Sequence, residues 1–458
     1  MNIVLVKVLK FGGSVLKNAD DVKNIANVLK VHPNSKEQQI IIVVSAFFGI
    51  TNKLIELLNA TVNNKGYKTT LEEVKEFHFT IIHELRLNEA EASHIYDLFE
   101  ELNYDIEDIA NTGFIANEVY DKIISFGERL SSSIVFSYLS KNEDVAQIFP
   151  NEIIKTDDNF GCAHVDVEES DYLITNCISN VDAKIIICAG FIGSTDNGKI
   201  TTLGRNGSDY SAALIASAVN ADVLEIWKDI DGLYTADPKV VKDVKFIKQI
   251  TYQEMSELSS LGNKILHTDA IAPCVSKNIP IVLKNFYNLQ CKGTIVCNEK
   301  CKNFLINGIV KLDNVNVETI SLNEFADIFD IASRIQKLLK THEDSLITLS
   351  QNIKQKRICI LAKSGSSEKI YNEINDFLSQ NKNGISIIIG DTKSMITIIG
   401  ADLINTCGLS GKIFNILEQN NINIDSIHDD FSPTRISFLC NVDEADNVVN
   451  LLHNELVR

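Results

Sequence analysis

Short runs that are apolar at nearly every position alternate with helix-period segments through the first 300 residues. The runs at 2–9 (NIVLVKVL), 39–46 (QIIIVVSA), 183–190 (AKIIICAG), 221–227 (ADVLEIW) and 279–283 (IPIVL) are rich in β-branched residues. Strands covered on both faces read this way, because neither side has to meet water. Helical spacing fills the intervals at about 18–31, 50–60, 117–141, 208–219 and 251–277. The alternation predicts an α/β domain with a mostly parallel central sheet and helices on both faces. One stretch breaks the rhythm. Residues 66–112 carry Leu71, Val74, Phe77, Ile81, Ile82 and Leu85 at helical spacing and no strand-like run, which predicts an inserted helical hairpin of structural character.

After the run at 292–299 (KGTIVCNE) the pattern changes. Strand-like segments at 303–311, 316–321, 345–349 and 357–362 are separated by helical ones near 325–340 and 366–381. A similar block follows, with strands at 394–402, 421–430 and 435–442, a helix at 409–420 and a last helix from Glu444. Two β-α-β-β-α units fit, and the division into domains 1–302 and 303–458 is placed there.

Composition narrows the class. A chain of 458 residues is too long for one ordinary core, and 45% apolar with 23% charged residues is typical of a soluble globular protein. A formal charge of −18 argues against nucleic acid or an anionic membrane as the main partner, yet leaves room for a local cationic site. The first apolar run is interrupted by Lys7 and Lys10, and no run approaches the ~20 residues that span a bilayer, so a cytoplasmic protein without a membrane partner is expected. The ten cysteines are scattered; Cys297 and Cys301 lack a second pair at zinc-like spacing. Reduced thiols and no metal site are the expectation.

No G-x-x-x-x-G-K-[ST] loop and no G-x-G-x-x-G fingerprint occurs, so phosphate handling has to come from other glycine turns. Four segments are candidates. Lys10-Phe11-Gly12-Gly13-Ser14 ends a strand and leads into a helix, an arrangement suited to an anion with Lys10 as cation. Alone, it also fits a plain turn with a solvated lysine. The segment 43–51 (VVSAFFGIT) places Ser45 and Thr51 at a strand end, as substrate contacts or as caps. Within 124–132 (ISFGERLSS), Glu128 sits in a helix apolar enough to be buried and needs a partner, either a substrate ammonium group or a nearby arginine. The segment 201–219 (TTLGRNGSDYSAALIASAV) is the strongest. Arg205 between Gly204 and Gly207 offers a planar fork for a carboxylate, while Ser208 and Asp209 open a helix. Further on, 225–239 (EIWKDIDGLYTADPK) leaves a strand for an acidic, turn-forming loop, and 261–267 (LGNKILH) supplies Lys264.

Taken together these segments resemble the aspartate kinases of the amino-acid-kinase family. K-F-G-G at 10–13, S-A at 45–46 with G-I-T at 49–51, G-E at 127–128, G-F at 190–191, T-L-G-R-N-G-S-D-Y at 202–210, W-K-D-I-D-G-L-Y-T-A-D-P at 227–238 and K-I-L-H at 264–267 carry the resemblance. The wording is nearest the kinase half of bifunctional aspartokinase–homoserine dehydrogenases, and a chain ending at Arg458 reads as monofunctional. The resemblance implies transfer of the ATP γ-phosphoryl group to the side-chain carboxylate of L-aspartate, with Mg²⁺ accompanying ATP and no dedicated protein ligands for it. It implies Lys10 as the stabiliser of the moving phosphoryl group and Asp209 as organiser of the lysines. Ser45, Thr51, Glu128, Arg205 and Ser208 fall on the aspartate side. Phe11, Gly12, Gly13, Lys228, Asp229, Tyr234, Lys239, Lys264 and Ile265 fall on the nucleotide side with Lys10.

Three departures stand out: Ser14-Val15 where the family commonly has Thr-Ser, Lys228 where Thr is common, and Lys239 where Arg is common. The C-terminal part resembles paired ACT domains, which implies a homodimer and an amino-acid effector such as lysine or threonine. The first of the pair, at 321–338 (SLNEFADIFDIASRIQKL), lacks the glycine expected before its helix, so feedback inhibition is expected to be weak, altered or absent. Two other readings stay open at this point: a glutamate or N-acetylglutamate kinase of the same family, and an inactive amino-acid sensor.

Overall fold

The computed structural model describes residues 5–32, 38–261, 265–300, 305–322, 327–339, 346–379, 386–428 and 432–457. The chain forms two compact units, one of Met1–Leu233 with Lys248–Tyr252 and Ile265–Lys300, the other of Tyr234–Ile247, Gln253–Lys264 and Cys301–Arg458.

The first unit is a three-layer α/β fold. It opens with β1 (Leu5–Phe11), α1 (Ala19–Lys30), β2 (Gln38–Val44) and α2 (Ile50–Val62). The hairpin α3 (Tyr67–Glu84) and α4 (Glu89–Thr112) follows, then α5 (Asn117–Leu139), β3 (Val145–Ile148), α6 (Pro150–Ile153), α7 (Val167–Ser179) and β4 (Ile185–Ala189). The short pair β5 (Ile192–Ser194) and β6 (Ile200–Thr202) leads to α8 (Gly207–Ala218) and β7 (Val223–Lys228). In the eight-stranded sheet the order runs Gln249–Thr251, Thr294–Cys297, Ile281–Asn285, β7, β1, β2, β4, β3. The strands from Ile281–Asn285 to β3 are parallel, and Thr294–Cys297 pairs antiparallel with Ile281–Asn285. β1 is central, with Val8, Leu9 and Phe11 fully buried, as its unbroken apolar run requires.

Local chemistry sets the ends of these elements. Asn18 caps α1 by accepting the Asp21 N–H, and acids in the first turn with Lys30 in the last suit the helix dipole. The inserted hairpin appears where the periodicity placed it. Leu71, Val74, Ile81 and Ile82 join the same core as Leu9 and Phe11, and Asn88 with Glu91 makes a capping box that starts α4. The expected helix at 251–277 is two helices, Tyr252–Ser260 and Thr268–Lys277, the second capped by His267. β3, β5 and β6 are too short to have stood out as apolar runs.

The second unit holds a seven-stranded antiparallel sheet built on one long strand, Gly308–Ser321. Its second half pairs with Arg357–Lys363 on one side and Ser386–Ile389 on the other. With helices Ile328–Leu339 and Ser364–Ser379 and strand Leu346–Asn352, this completes one βαββαβ unit. Its first half pairs with Lys393–Ile399, the inner strand of a second unit that continues through Leu409–Gln419, Ser426–His428, Arg435–Cys440 and Ala445–Leu456. One strand thus serves both units, with a register shift between Leu312 and Val315. Ala236 and Val241 pack into the core of the second of these units, beside Ile396, Ile398 and Phe438. Among the described residues no helix is long and apolar enough to cross a membrane.

Candidate active site

The carboxyl ends of β1, β2 and β7 lie side by side: Lys10 is in register with Val43 and Ile226, and Phe11 with Val44 and Trp227. Loops leaving parallel strands on this side face a common crevice. Here the chain gathers charge. Lys10, buried, forms an ion pair with Asp209, which is itself 2% exposed in the first turn of α8. The other oxygen of Asp209 lies 3.5 Å from Nζ of Lys228, and that ammonium also donates to the carbonyl of Ile265. Burial alone would raise the Asp209 pKa, but the two lysines more than offset it and hold the carboxyl below the ordinary range. Burial, with Lys10 as a like charge, pulls Lys228 below the usual lysine value although Asp209 opposes the shift. A Lys–Asp–Lys group with both lysines protonated carries one net positive charge, which suits an anion in a water-poor crevice.

The glycines explain why these groups meet. A Cβ on Gly12 would come within 3.2 Å of the Lys10 ammonium, and one on Gly13 within 3.2 Å of the Ala46 carbonyl oxygen. At Gly190 a Cβ would sit 2.6 Å from that of Ser208, so only glycine lets α8 begin against the end of β4. The 3-10 turn Gly13–Val15 follows the paired glycines and buries Val15 completely in the core. That departure replaces a hydroxyl with a packing group.

Glu128 enters from α5. Gly127 lies so close to Ala46 that an added Cβ would fall 2.8 Å from the alanine methyl, and this contact brings the Glu128 carboxylate to the Ala46 N–H. Ser131, one turn on, donates to the Ser45 carbonyl at 2.7 Å and fixes the loop to the helix. Oε2 of Glu128 has no hydrogen-bond partner among the described residues. Burial pushes the Glu128 carboxyl up to about 7, against the pull of the Ala46 N–H and the Lys10 charge. A buried carboxylate with one open oxygen beside a cationic group is an unfilled position for a small charged ligand.

The remaining candidates are placed unevenly. Ser45 and Ser208 are buried, and Thr51 is half-buried in the first turn of α2, after Gly49 at φ +83°. Arg205 is exposed in a loop shaped by Gly204 and Asn206, both at positive φ. Asp229 is exposed just past β7. Phe11 is corrected in one respect: its ring is wholly in the core, stacked on Trp227 at 6.2 Å and edge-on to Phe286 at 5.6 Å, so only its backbone faces the turn. Tyr234 and Lys239 belong to the second unit and are exposed; Tyr234 packs edge-on against Phe246. Lys264 lies outside the described residues. Sequence reading missed the Ser131 clamp and the role of Gly127. The G-E pair was the signal, but its neighbour across the fold was not.

No group of three or more His, Cys, Asp or Glu among the described residues fits a metal ion, and Asp209 is already committed to two lysines.

A sequence profile described as the amino acid kinase family matches residues 6–285, and an ACT domain profile matches 396–456. The bifunctional aspartokinase/homoserine dehydrogenase of Buchnera aphidicola is 32% identical over 463 residues, covering 98% of this chain and 56% of that protein. The chain thus spans about half the length of the bifunctional relatives it matches. Lysine-sensitive aspartokinase 3 of Escherichia coli is 28% identical, with 98% of each chain covered. The crystal structure of E. coli aspartokinase III in complex with aspartate and ADP (R-state) is similar at TM-score 0.80 and 26% identity, covering 99% of this chain and 100% of that one. Its complex with lysine and aspartate (T-state) gives 0.81. With Lys10, Glu128, Arg205, Asp209 and Lys228 all inside the first match, the chain belongs to the amino acid kinase family.

Proposed function

We propose that the protein is an aspartate kinase, transferring the γ-phosphoryl group of ATP to the side-chain carboxylate of L-aspartate to give 4-phospho-L-aspartate, the first step towards lysine, threonine and methionine. The observation that carries this reading is the buried Lys10–Asp209–Lys228 group beside the open carboxylate of Glu128. Likeness to aspartokinase III, crystallised with aspartate and ADP, supports it.

The chemistry fits the residues. A carboxylate oxygen of aspartate forms the new bond to phosphorus while the bond to the bridging oxygen breaks and ADP leaves. The nucleophile is already ionised, so no general base is required; positioning and positive charge are. Lys10 meets the charge that develops on the transferring group, held by Asp209 and by the close approach that Gly12 permits. Glu128 takes the substrate ammonium, which favours the ionised form of the acid. Arg205 takes a carboxylate by its planar fork, with Ser45, Thr51 and Ser208 as hydroxyl donors. Lys228 adds a second cation on the nucleotide side with the Ile265 carbonyl. Asp229, Tyr234, Lys239 and Lys264 stand on that side by resemblance alone. Mg²⁺ is expected on the nucleotide phosphates, and no step is assigned to it. A cytoplasmic homodimer joined through the ACT region completes the proposal, with a weak response at most to lysine or threonine.

The test is ATP turnover with L-aspartate, glutamate and N-acetylglutamate, for the intact chain and Lys10→Ala. Turnover with aspartate is expected, and Lys10→Ala is expected to lower it by ~10²–10³-fold, as removal of a charge-stabilising donor does. Preference for either other acid would overturn the substrate. A Lys10→Ala rate near that of the intact chain would overturn the role of Lys10.

A further inference from the structure

Asp121 lies on α5, seven residues and about 10 Å of rigid helix before Glu128. It has no part in the reading above, yet its side chain is fully buried. Oδ2 accepts two backbone N–H bonds, from Gly161 at 2.9 Å and from Thr202 at 2.7 Å. These amides belong to different segments. Gly161 is in the loop that precedes α7, and Thr202 ends β6, three residues before Arg205. The two segments also hold each other. Ala163 N–H donates to the Thr202 carbonyl at 2.9 Å, and a Cβ on Gly204 would meet Sγ of Cys162 at 2.9 Å. Past that contact, positive φ at Gly204 and Asn206 aims the Arg205 loop before α8 begins.

One buried carboxylate therefore ties the helix that carries Glu128 to both strands of chain that shape the Arg205 loop. A buried acid is a costly way to join a helix to a loop unless the geometry it enforces matters. Its Oδ1 has no partner among the described residues, which adds to that cost. A second tie, Lys199 to Glu118 at 2.5 Å, links the first turn of α5 to the β5–β6 hairpin at the surface, where solvent weakens it.

We infer that Asp121 is a positioning residue for the substrate amino acid: it sets the placement of Arg205 relative to Glu128, the groups proposed for the substrate's carboxylate and ammonium. The inference rests on the aspartate kinase reading. Small misplacement of a binding group is costly, so Asp121→Ala is expected to raise KM for aspartate about 10-fold or more while KM for ATP stays within about 2-fold. Asp121→Asn keeps an oxygen for the two amides and is expected to rescue most of the loss, leaving an increase of about 3-fold in KM for aspartate. Lys199→Gln is expected to change neither constant. Hydrogen exchange read by mass spectrometry should show faster exchange in peptides covering 157–163 and 200–205 for Asp121→Ala, and near-normal exchange for Asp121→Asn.

An unchanged KM for aspartate in folded Asp121→Ala overturns the inference, as does a matching rise in both KM values. If Asp121→Ala does not fold, Asp121→Asn decides: an increase confined to aspartate supports the role and no increase refutes it. Failure of the intact chain to turn over aspartate would remove the kinase reading instead, and the exchange data would still report whether Asp121 clamps the two segments.

Discussion

Glu128 of the first unit and two acids of the second are closed to different degrees. In the second unit Glu254, fully buried, takes the Asn307 side-chain amide at 2.7 Å. Glu257 there is bound by Ser432 at 2.6 Å and by Arg435 at 2.9 Å. Both of its oxygens are thus filled from within the unit. In the first unit Glu128 meets backbone N–H groups of Ala46 and of its own residue but keeps an open oxygen, and its carboxyl is pushed up to about 7. Glu254 is as buried as Glu128 and Glu257 is partly buried, but the difference that counts is closure. An acid closed on its own neighbours acts as a clamp, whereas one held open beside Lys10 waits for a partner from solution.

Glu128→Gln tests the open side, and the largest effect is expected there. In the folded protein the Glu128 pKa is raised from 4.5 to about 7, so between those values the native state holds a proton that the unfolded chain releases. Stability should therefore fall as pH rises through that window, by up to about 3 kcal/mol at pH 8. Glutamine removes this penalty. Urea unfolding should show Glu128→Gln more stable than the parent at pH 8 and no more stable at pH 4.5. Its KM for aspartate should rise about 10–100-fold, the worth of a charge-assisted bond. In the parent, KM for aspartate should climb as pH drops below about 7, where Glu128 takes up its proton. A variant neither stabilised at pH 8 nor impaired in aspartate binding would show that Glu128 is closed after all.

Much of this site was readable beforehand because its motifs are contiguous in the chain. Lys10-Phe11-Gly12-Gly13 joins a strand end, a cation and a turn in four letters, and Arg205 to Asp209 does the same for a loop and a helix start. What stayed hidden depends on partners far away in sequence. Lys228 looked like a departure in a loop; the fold makes it the second cation on Asp209. Gly127 matters through Ala46, 81 positions earlier, and Asp121 through an amide 81 positions later. The fold was legible to a similar degree. Apolar runs and helical periods located the sheet and the inserted hairpin. Residues 312–315 read as the gap between two strands, but Asn314 takes φ +57° and one strand continues through the shift, shared by both βαββα units. A bulge and a turn share the same residue chemistry, so pattern alone could not separate them.

Glu257→Gln probes the closed side and should have a middling effect. Loss of the charge removes the Glu257 ion pair from Arg435 in a mostly buried setting, a cost of about 1.5–3 kcal/mol. Urea unfolding should register that loss, and KM for aspartate should stay within about 2-fold of the parent value. A change in aspartate affinity without loss of stability would erase the contrast between the units.

The smallest effect is expected from added amino acids. The two βαββα units differ at the approach to their first helices. In the second, Gly408 at φ +77° caps the helix Leu409–Gln419, and Gly400 passes so close to the Leu305 carbonyl that any side chain would collide. The stretch 321–338 has no glycine at all; it leads into the helix Ile328–Leu339, and residues 323–326 lie outside the described part of the chain. Without glycine, a backbone is less free to adopt the conformations that let amides reach a ligand. A unit without that freedom should respond poorly to an effector. Initial rates of ATP turnover with aspartate, measured with lysine or threonine at millimolar levels, should change by less than about 2-fold, a coupling below about 0.5 kcal/mol. Strong inhibition by either amino acid would mean that the second unit keeps an open site of its own, and the division between an open first unit and a closed second one would have to be redrawn.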